Sequence, residues 1–178
     1  LKAMSKVARS ICDGRGPLRI LLALAGSHLT RSGEQVSFRL METEDEKMIW
    51  AWQSSKNIRR YSRNKEAPDS GTHSAWMHNE VHDPTCLPMV VQFRDVAAGL
   101  MRFNRTIDNR VEVSILVIPE YQGIGVATAA LQLGKRVFPG RNLWAEIYPD
   151  NISSIKSFTK AGYEATRFPG WYKASAEA

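Results

Sequence analysis

The stretch Val111 to Leu131, VEVSILVIPEYQGIGVATAAL, constrains this chain more than any other. Val111 to Ile118 is apolar and largely β-branched apart from Glu112 and Ser114, the composition of a buried strand. Pro119 has no N–H to give and ends the ladder. Gln122-Gly123-Ile124-Gly125-Val126-Ala127 follows, and the helix-forming run Thr128 to Leu133 comes directly after it. Two glycines and an alanine at a strand-to-helix turn let the backbone approach a ligand closely. The unpaired N–H groups of the first helical turn then face that ligand and favour anionic oxygens. The stretch reads as a phosphate or pyrophosphate site, against the plainer reading of a tight turn into a core helix. Its spacing is not the G-x-G-x-x-G of a dinucleotide fold. Nor is it a P-loop, because no G-K-[ST] follows.

As a pattern, Gln122-x-x-Gly125-x-Ala127 behind a V-x-P-E-Y strand end resembles the acetyl-CoA signature of the GNAT N-acetyltransferases, (Q/R)-x-x-G-x-(G/A). A second element lies at the distance that family keeps. Asn151-x-x-Ser154-Ile155-x-x-Phe158-x-x-x-Gly162-Tyr163 resembles N-x-x-A-x-x-x-Y-x-x-x-G-F. The resemblance spans about Val36 to Lys173. It implies an α/β (α+β) fold with a mixed, mostly antiparallel central sheet and helices on both faces. It implies acetyl-CoA as co-substrate. The main chain of Ile115, Leu116 and Val117 would then pair with pantetheine like an added strand. Gln122, Gly123, Ile124, Gly125, Val126, Ala127 and Thr128 would hold the pyrophosphate. Asn151 and the helix face carrying Phe158 would flank the thioester. The implied reaction is direct attack of an amine on the thioester without an acyl-enzyme, with N–H groups near Leu116 stabilising the oxyanion. The chain departs from the pattern where the family's proton-donating tyrosine aligns with Phe158, which has no proton to give. Ser114, Tyr148 and Ser157 are the candidate hydroxyls to substitute, and a thiol of pKa about 8.5 also leaves tolerably unaided.

Composition narrows the rest. A length of 178 residues fits one domain with a real core. Cys12 and Cys86 make no disulfide framework and no metal-ligand spacing. The net charge of +6 comes from basic residues scattered along the chain, locally dense only around Arg59-Arg60. An anionic small molecule fits that better than nucleic acid. No apolar run is long enough to span a bilayer. Lys2, Lys6 and Arg9 before Ile20 to Gly26 loosely mimic a secretion signal, but Asp13 and Arg19 lie close to the apolar part. The expectation is a cytoplasmic enzyme, with a homodimer left open.

Residues 1–35 hold none of the GNAT pattern and read as an extension, with 36–178 as the acetyltransferase domain. Leu18 to Ala25 reads as a helix left over from a preceding domain. Asp13-Gly14-Arg15-Gly16-x-x-Arg19 weakly resembles the tail of the nucleotide-sugar hydrolase of pseudaminic acid synthesis. Along the domain, Val36 to Leu40 reads as a strand. Thr43 reads as the N-cap of a helix, with Glu46 reaching back in a capping box. Asn64 to Gly71 reads as a loop and Thr72 to Glu80 as a helix. Met89 to Phe93 and Ala97 to Phe103 read as a hairpin turning at Arg94-Asp95. Asp108-Asn109 turns into the central strand. Leu143 to Tyr148 reads as a strand, then a helix from Ile152 to Ala161 is capped around Asn151 and stopped at Gly162. Glu164 to Phe168 and Trp171 to Lys173 close the sheet.

Direct attack needs a neutral amine, so some group must take a proton. Glu112 is the candidate base: a carboxylate by an apolar cleft gains a useful pKa. The plainer reading pairs it with Arg110 or Arg102. For the acceptor, Trp52-Gln53-Ser54-x-x-x-Ile58-Arg59-x-Tyr61-Ser62-x-Asn64, then His73-x-x-Trp76, resembles W-R-N-x-x-x-V-R-x-x-S-x-N … H-x-x-W. That pattern belongs to nucleotide-sugar acetyltransferases acting on the 4-amino group of a UDP-amino sugar in pseudaminic acid synthesis. Gln53 and Ser54 replace the usual Arg-Asn. Arg59 or Arg60 would hold a diphosphate, and Asn64 a hydroxyl. His73 would bind a hydroxyl or act as a base, and Trp76 would stack on a ring. The alternatives are a peptide N-terminus or small amine as acceptor, or a non-catalytic acetyl-CoA-binding module. No metal is expected.

Overall fold

The computed structural model describes residues 14–106, 108 and 110–175. Asn109 and Cys12 lie outside the described residues, as does Asp13 of the hydrolase-like segment. The elements run α1 (Gly16–Ala25), β1 (Ser27–Leu29), β2 (Gln35–Leu40), α2 (Glu46–Ser54), α3 (Lys56–Arg59), α4 (Ser70–His82), β3 (Cys86–Phe93) and β4 (Val96–Arg105). They continue with β5 (Val111–Val117), α5 (Val126–Val137), β6 (Asn142–Glu146), α6 (Ile152–Lys160), β7 (Glu164–Ala165) and β8 (Trp171–Ser175). The strands form one sheet in the order β1-β2-β3-β4-β5-β6-β8-β7. Every pair is antiparallel except β5–β6. This is the mixed, mostly antiparallel sheet expected.

Strand periodicity divides the core between the two faces. Met89 and Val91 of β3, with Met101 and Phe103 of β4, join one cluster with Leu22 of α1 and Ala129 of α5. Val90 and Leu100, each adjacent in sequence to one of these and so on the other face, join a second cluster with Ile49 of α2 and Met77 of α4. The hairpin turns at Arg94-Asp95 as expected. Both residues have positive φ, 50° and 62°, the twist that a two-residue hairpin loop demands.

Residues 16–34, read from the sequence as lying ahead of the domain, pack onto its core. Leu22 and Ala25 are buried in the main cluster, and β1 pairs with β2. A boundary at Gln35 therefore falls inside a hairpin. The capping box sits one residue earlier than expected. Glu42 and Asp45 cap a short 3-10 turn, Thr43–Asp45, and α2 follows it. Asp45 wins over Glu46 because Arg39 grips it through two hydrogen bonds of 2.7 Å and the Glu42 N–H donates to it as well. The helix read as Thr72 to Glu80 extends from Ser70 to His82, with Asp69 as its cap. The strand read over Glu164 to Phe168 is only Glu164–Ala165.

Candidate active site

β5 is paired with β4 along its whole length, from Arg105↔Val111 to Gly99↔Val117. Its pairing with β6 covers only Val111↔Leu143 and Glu112↔Trp144, although both strands run on. The strands part after Glu112, and the β6 side of Val113 to Val117 has no strand beside it. The β3–β4 register shifts between Val91 and Gln92, which leaves Ala98 as an extra residue in β4. Such bulges bend a strand and increase its twist. Gly99, next to the bulge, lies so near β5 that a Cβ there would sit 2.1 Å from the Leu116 carbonyl oxygen.

The cleft opens toward the glycine turn. Gly125 caps α5 with φ 94°, and no side chain caps this helix end. The N–H groups of Val126, Ala127 and Thr128 thus stand at the positive end of a twelve-residue helix, without intrahelical partners. The Val126 side chain is buried in the core, so only its backbone faces outward. Ile124 is exposed at the turn. Gln122 turns back: its Nε2 donates to the Val117 carbonyl at 2.7 Å, leaving that oxygen one free lone pair. An anion at this helix end, with an extended chain lying along β5, fits the pyrophosphate and pantetheine of a coenzyme A thioester.

A cavity of about 470 Å³ lies at the closed end of the cleft. Glu112, Ser114, Ile115 and Leu116 form its floor, while Asn151, Ser154 and Phe158 of the α6 end form one side. Arg59, Ser62, Asn64, His73 and Trp76 line it as well. Arg60 does not line it. That side chain lies outside, with its guanidinium over the Tyr61 ring. A larger hollow of about 1100 Å³, between α1 and the Asp83–Leu87 segment, holds none of the residues expected at the site.

The charged groups in the cavity are already partnered. Arg59 donates from Nε to the Gln53 carbonyl at 2.6 Å and from Nη1 to the Asn64 carbonyl at 3.1 Å, so it holds its own loop together. Arg102 donates to both oxygens of Glu80 at 2.6 and 2.9 Å and lies over the Trp76 ring. Glu112 is not paired with Arg110 or Arg102. Asp108 takes Arg110, and the partner of Glu112 is Arg63, whose Nη2 lies 2.6 Å from Oε1. The same Arg63 also grips Glu146, at 2.8 Å from Nη2 and 3.1 Å from Nε. Sequence reasoning missed both Arg63 and Glu146.

His73 is buried. Its Nε2 lies 3.1 Å from the Glu46 carbonyl, which can only accept, so Nε2 carries the proton and Nδ1 does not. Nδ1 has no hydrogen-bond partner. Burial holds the imidazole below its usual pKa, so the ring is neutral at pH 7. Phe158 packs edge-on against Tyr163, with ring centroids 4.9 Å apart. The Tyr163 hydroxyl is buried without a partner, and burial pushes its pKa up. Of the hydroxyls considered for the leaving thiolate, Ser114 and Tyr148 line the cavity. Ser157 instead donates to the Ser153 carbonyl of its own helix. Among the described residues no cysteine lines the cavity. Cys86 lies elsewhere, its thiol pushed up to about 12 by burial, then by its hydrogen bond to Glu80. The cavity therefore suits direct transfer rather than a thioester-linked enzyme.

A mostly antiparallel sheet whose parallel β5–β6 pair splits beside an uncapped helix end is the arrangement that a coenzyme A-dependent acyltransferase needs. The chain belongs to the GNAT acetyltransferases: the family model described as acetyltransferase (GNAT) domain matches residues 35–164. It is 26% identical over 138 residues to the spermidine N(1)-acetyltransferase of Escherichia coli (strain K12), covering 74% of each chain. Two solved structures share the fold. AAC(6')-Ib in complex with ribostamycin and coenzyme A has a TM-score of 0.66 at 17% identity, covering 79% of this chain and 93% of that one. Spermidine N-acetyltransferase from Vibrio cholerae, in complex with CoA and spermine, has a TM-score of 0.66 at 16% identity. It covers 78% of this chain and 92% of that one. The protein is an acetyl-CoA-dependent N-acetyltransferase. Among the described residues no helix is long and apolar enough to cross a membrane, and no group of three or more His, Cys, Asp and Glu is placed to hold a metal ion.

Proposed function

We propose that the acceptor is a nucleotide-linked amino sugar, acetylated on the 4-amino group of a UDP-amino sugar as in pseudaminic acid synthesis, in the cytoplasm. One observation carries this reading. The stretch that resembles the nucleotide-sugar enzymes, from Gln53 to Trp76, lines the same cavity as Glu112 and Ser114. In this reading the neutral amine attacks the thioester carbonyl carbon, and the tetrahedral intermediate collapses by expelling the coenzyme A thiolate. Glu112 takes the proton that the nitrogen sheds, and backbone N–H groups near Leu116 stabilise the oxyanion. Trp76 offers an aromatic wall, and Ser62 and Asn64 offer polar contacts for sugar hydroxyls.

A second reading takes a polycationic amine as acceptor. Its support is that two carboxylates, Glu112 and Glu146, line the cavity and share one guanidinium, so that a cationic amine has an acidic group to approach. The E. coli relative's name carries a polyamine as well. Thiol release from acetyl-CoA, followed with a UDP-4-amino-4,6-dideoxy sugar, spermidine and a peptide amine, separates the two. The sugar should give the highest kcat/KM. Turnover of spermidine with none of the sugar would replace the first reading by the second.

A further inference from the structure

We propose that Arg63 is the cation that receives the acceptor's diphosphate, and that in the empty enzyme it is parked on Glu112 and Glu146. Acceptor binding then draws the guanidinium away and uncovers the carboxylate that takes the proton. The proposal rests on the reading of the acceptor as a UDP-linked sugar and deepens it by assigning the phosphate contact.

The assignment follows from what the other arginines are doing. A diphosphate needs a cation that can reach it and has hydrogen bonds to give. Arg59 is committed to the carbonyls of Gln53 and Asn64, and the loop would open without it. Arg102 is half-buried against Glu80 in a two-point pair. Arg60 lies outside the cavity. Arg63 lines the cavity with a side chain 68% exposed, on the turn between α3 and α4. Ion pairs with an exposed partner such as Arg63 and Glu146 are weak, and only Glu112 of the three is mostly shielded. The planar fork of arginine fits a phosphate as well as a carboxylate, so the exchange keeps its charge-assisted bonds.

The geometry couples that exchange to chemistry. Glu112 sits at the last paired rung of β5 and β6, and Glu146 lies two residues past its partner Trp144. The Arg63 bridge thus spans the closed end of the split, where the strands begin to part. While it is in place, Oε1 of Glu112 accepts from Nη2 at 2.6 Å, so an amine proton must compete with that donor for this oxygen. The turn has a second tie to the same side, from the Tyr61 hydroxyl to the Asp150 carbonyl at 3.3 Å. An acceptor without phosphate has nothing to draw Arg63 away, so this device favours nucleotide-linked amines over free ones.

The test compares the parent with Arg63→Ala and Arg63→Lys, with coenzyme A present. It measures UDP binding by calorimetry and KM for the UDP-amino sugar and for the same amino sugar without UDP. Loss of a charge-assisted contact should raise Kd for UDP and KM for the UDP-sugar in Arg63→Ala by about tenfold to a hundredfold. KM for the phosphate-free sugar should not rise, because the bridge over Glu112 is gone. Arg63→Lys should recover part of the UDP affinity as a point charge. If the parent turns over the UDP-sugar and Arg63→Ala binds UDP as tightly, the Arg63 assignment fails and the functional reading stands. If the parent neither binds UDP nor acetylates the UDP-sugar, both fall.

Discussion

Replacing Gly99 by alanine should loosen the sheet at the point where the cofactor is to lie. The added Cβ would stand 2.1 Å from the Leu116 carbonyl oxygen and 3.1 Å from both the Leu116 carbonyl carbon and the Val117 Cα. Even favourable C–H···O contacts keep about 3.3 Å between carbon and oxygen, so β4 and β5 must part by roughly 1 Å. The obstacle is backbone in mid-ladder, and no side-chain rotation relieves it. Overpacking typically costs about 1–3 kcal/mol, and a stiff obstacle belongs in the upper half of that range, about 2–3 kcal/mol. For a chain of this size each kcal/mol lowers Tm by about 2–4 °C, so the variant should melt about 4–12 °C below the parent. Because the displaced group is the backbone of Leu116, KM for acetyl-CoA should rise as well. Scanning calorimetry and steady-state kinetics measure both. A Tm within about 1 °C of the parent, with unchanged KM, would refute the claim that close β4–β5 contact shapes the cleft.

Three further outcomes are expected. Glu112→Gln should lower kcat by on the order of 10²-fold at unchanged fold, as for loss of a general base; an unaltered rate and pH profile would leave Glu112 a purely structural anchor for Arg63. Because His73 is neutral and buried with its pKa held down, mainly by burial, its contribution to stability is whole above the unfolded value of about 6.5 and is lost as pH falls through that value toward the lower folded one. Urea midpoints of parent and His73→Gln should therefore converge as pH drops below about 6.5, and a pH-independent gap would contradict this. A chain starting at Val36 loses β1 and the buried side chains of Leu22 and Ala25; burying a leucine alone is worth about 1.5–3 kcal/mol, so the truncated chain should melt well below the parent, and an equal Tm would refute it.

What was legible in the sequence is what short range determines. The glycine turn and the cap at Asn151 each rest on neighbours in the chain, and Asn151 does accept from the Ser154 N–H. The Arg63 bridge was not legible, since its partners lie 49 and 83 residues away and many arginines compete for a carboxylate. Neighbourhood misled for the same reason. Arg110, two residues from Glu112, is taken by Asp108, and Arg102, from the adjacent strand, is held by Glu80. Arg59 matched a phosphate-binding pattern, yet its donors satisfy carbonyls of a loop that forms only once the chain has turned. β1 is three residues long, too short to give an alternating pattern, and it exists because β2 offers it an edge.

The central claim is that the amino end of α5 holds the pyrophosphate of acetyl-CoA. Calorimetric titration of Ala127→Glu with acetyl-CoA tests it most directly. Ala127 lies in the first turn of α5 in helical backbone, where glutamate adds no backbone strain and is favoured by the helix dipole. The fold should therefore keep its Tm or gain slightly. The new carboxylate competes for the same N–H groups and repels the phosphates, so binding should be lost. A variant that is folded and binds acetyl-CoA with the parent's affinity would contradict the account.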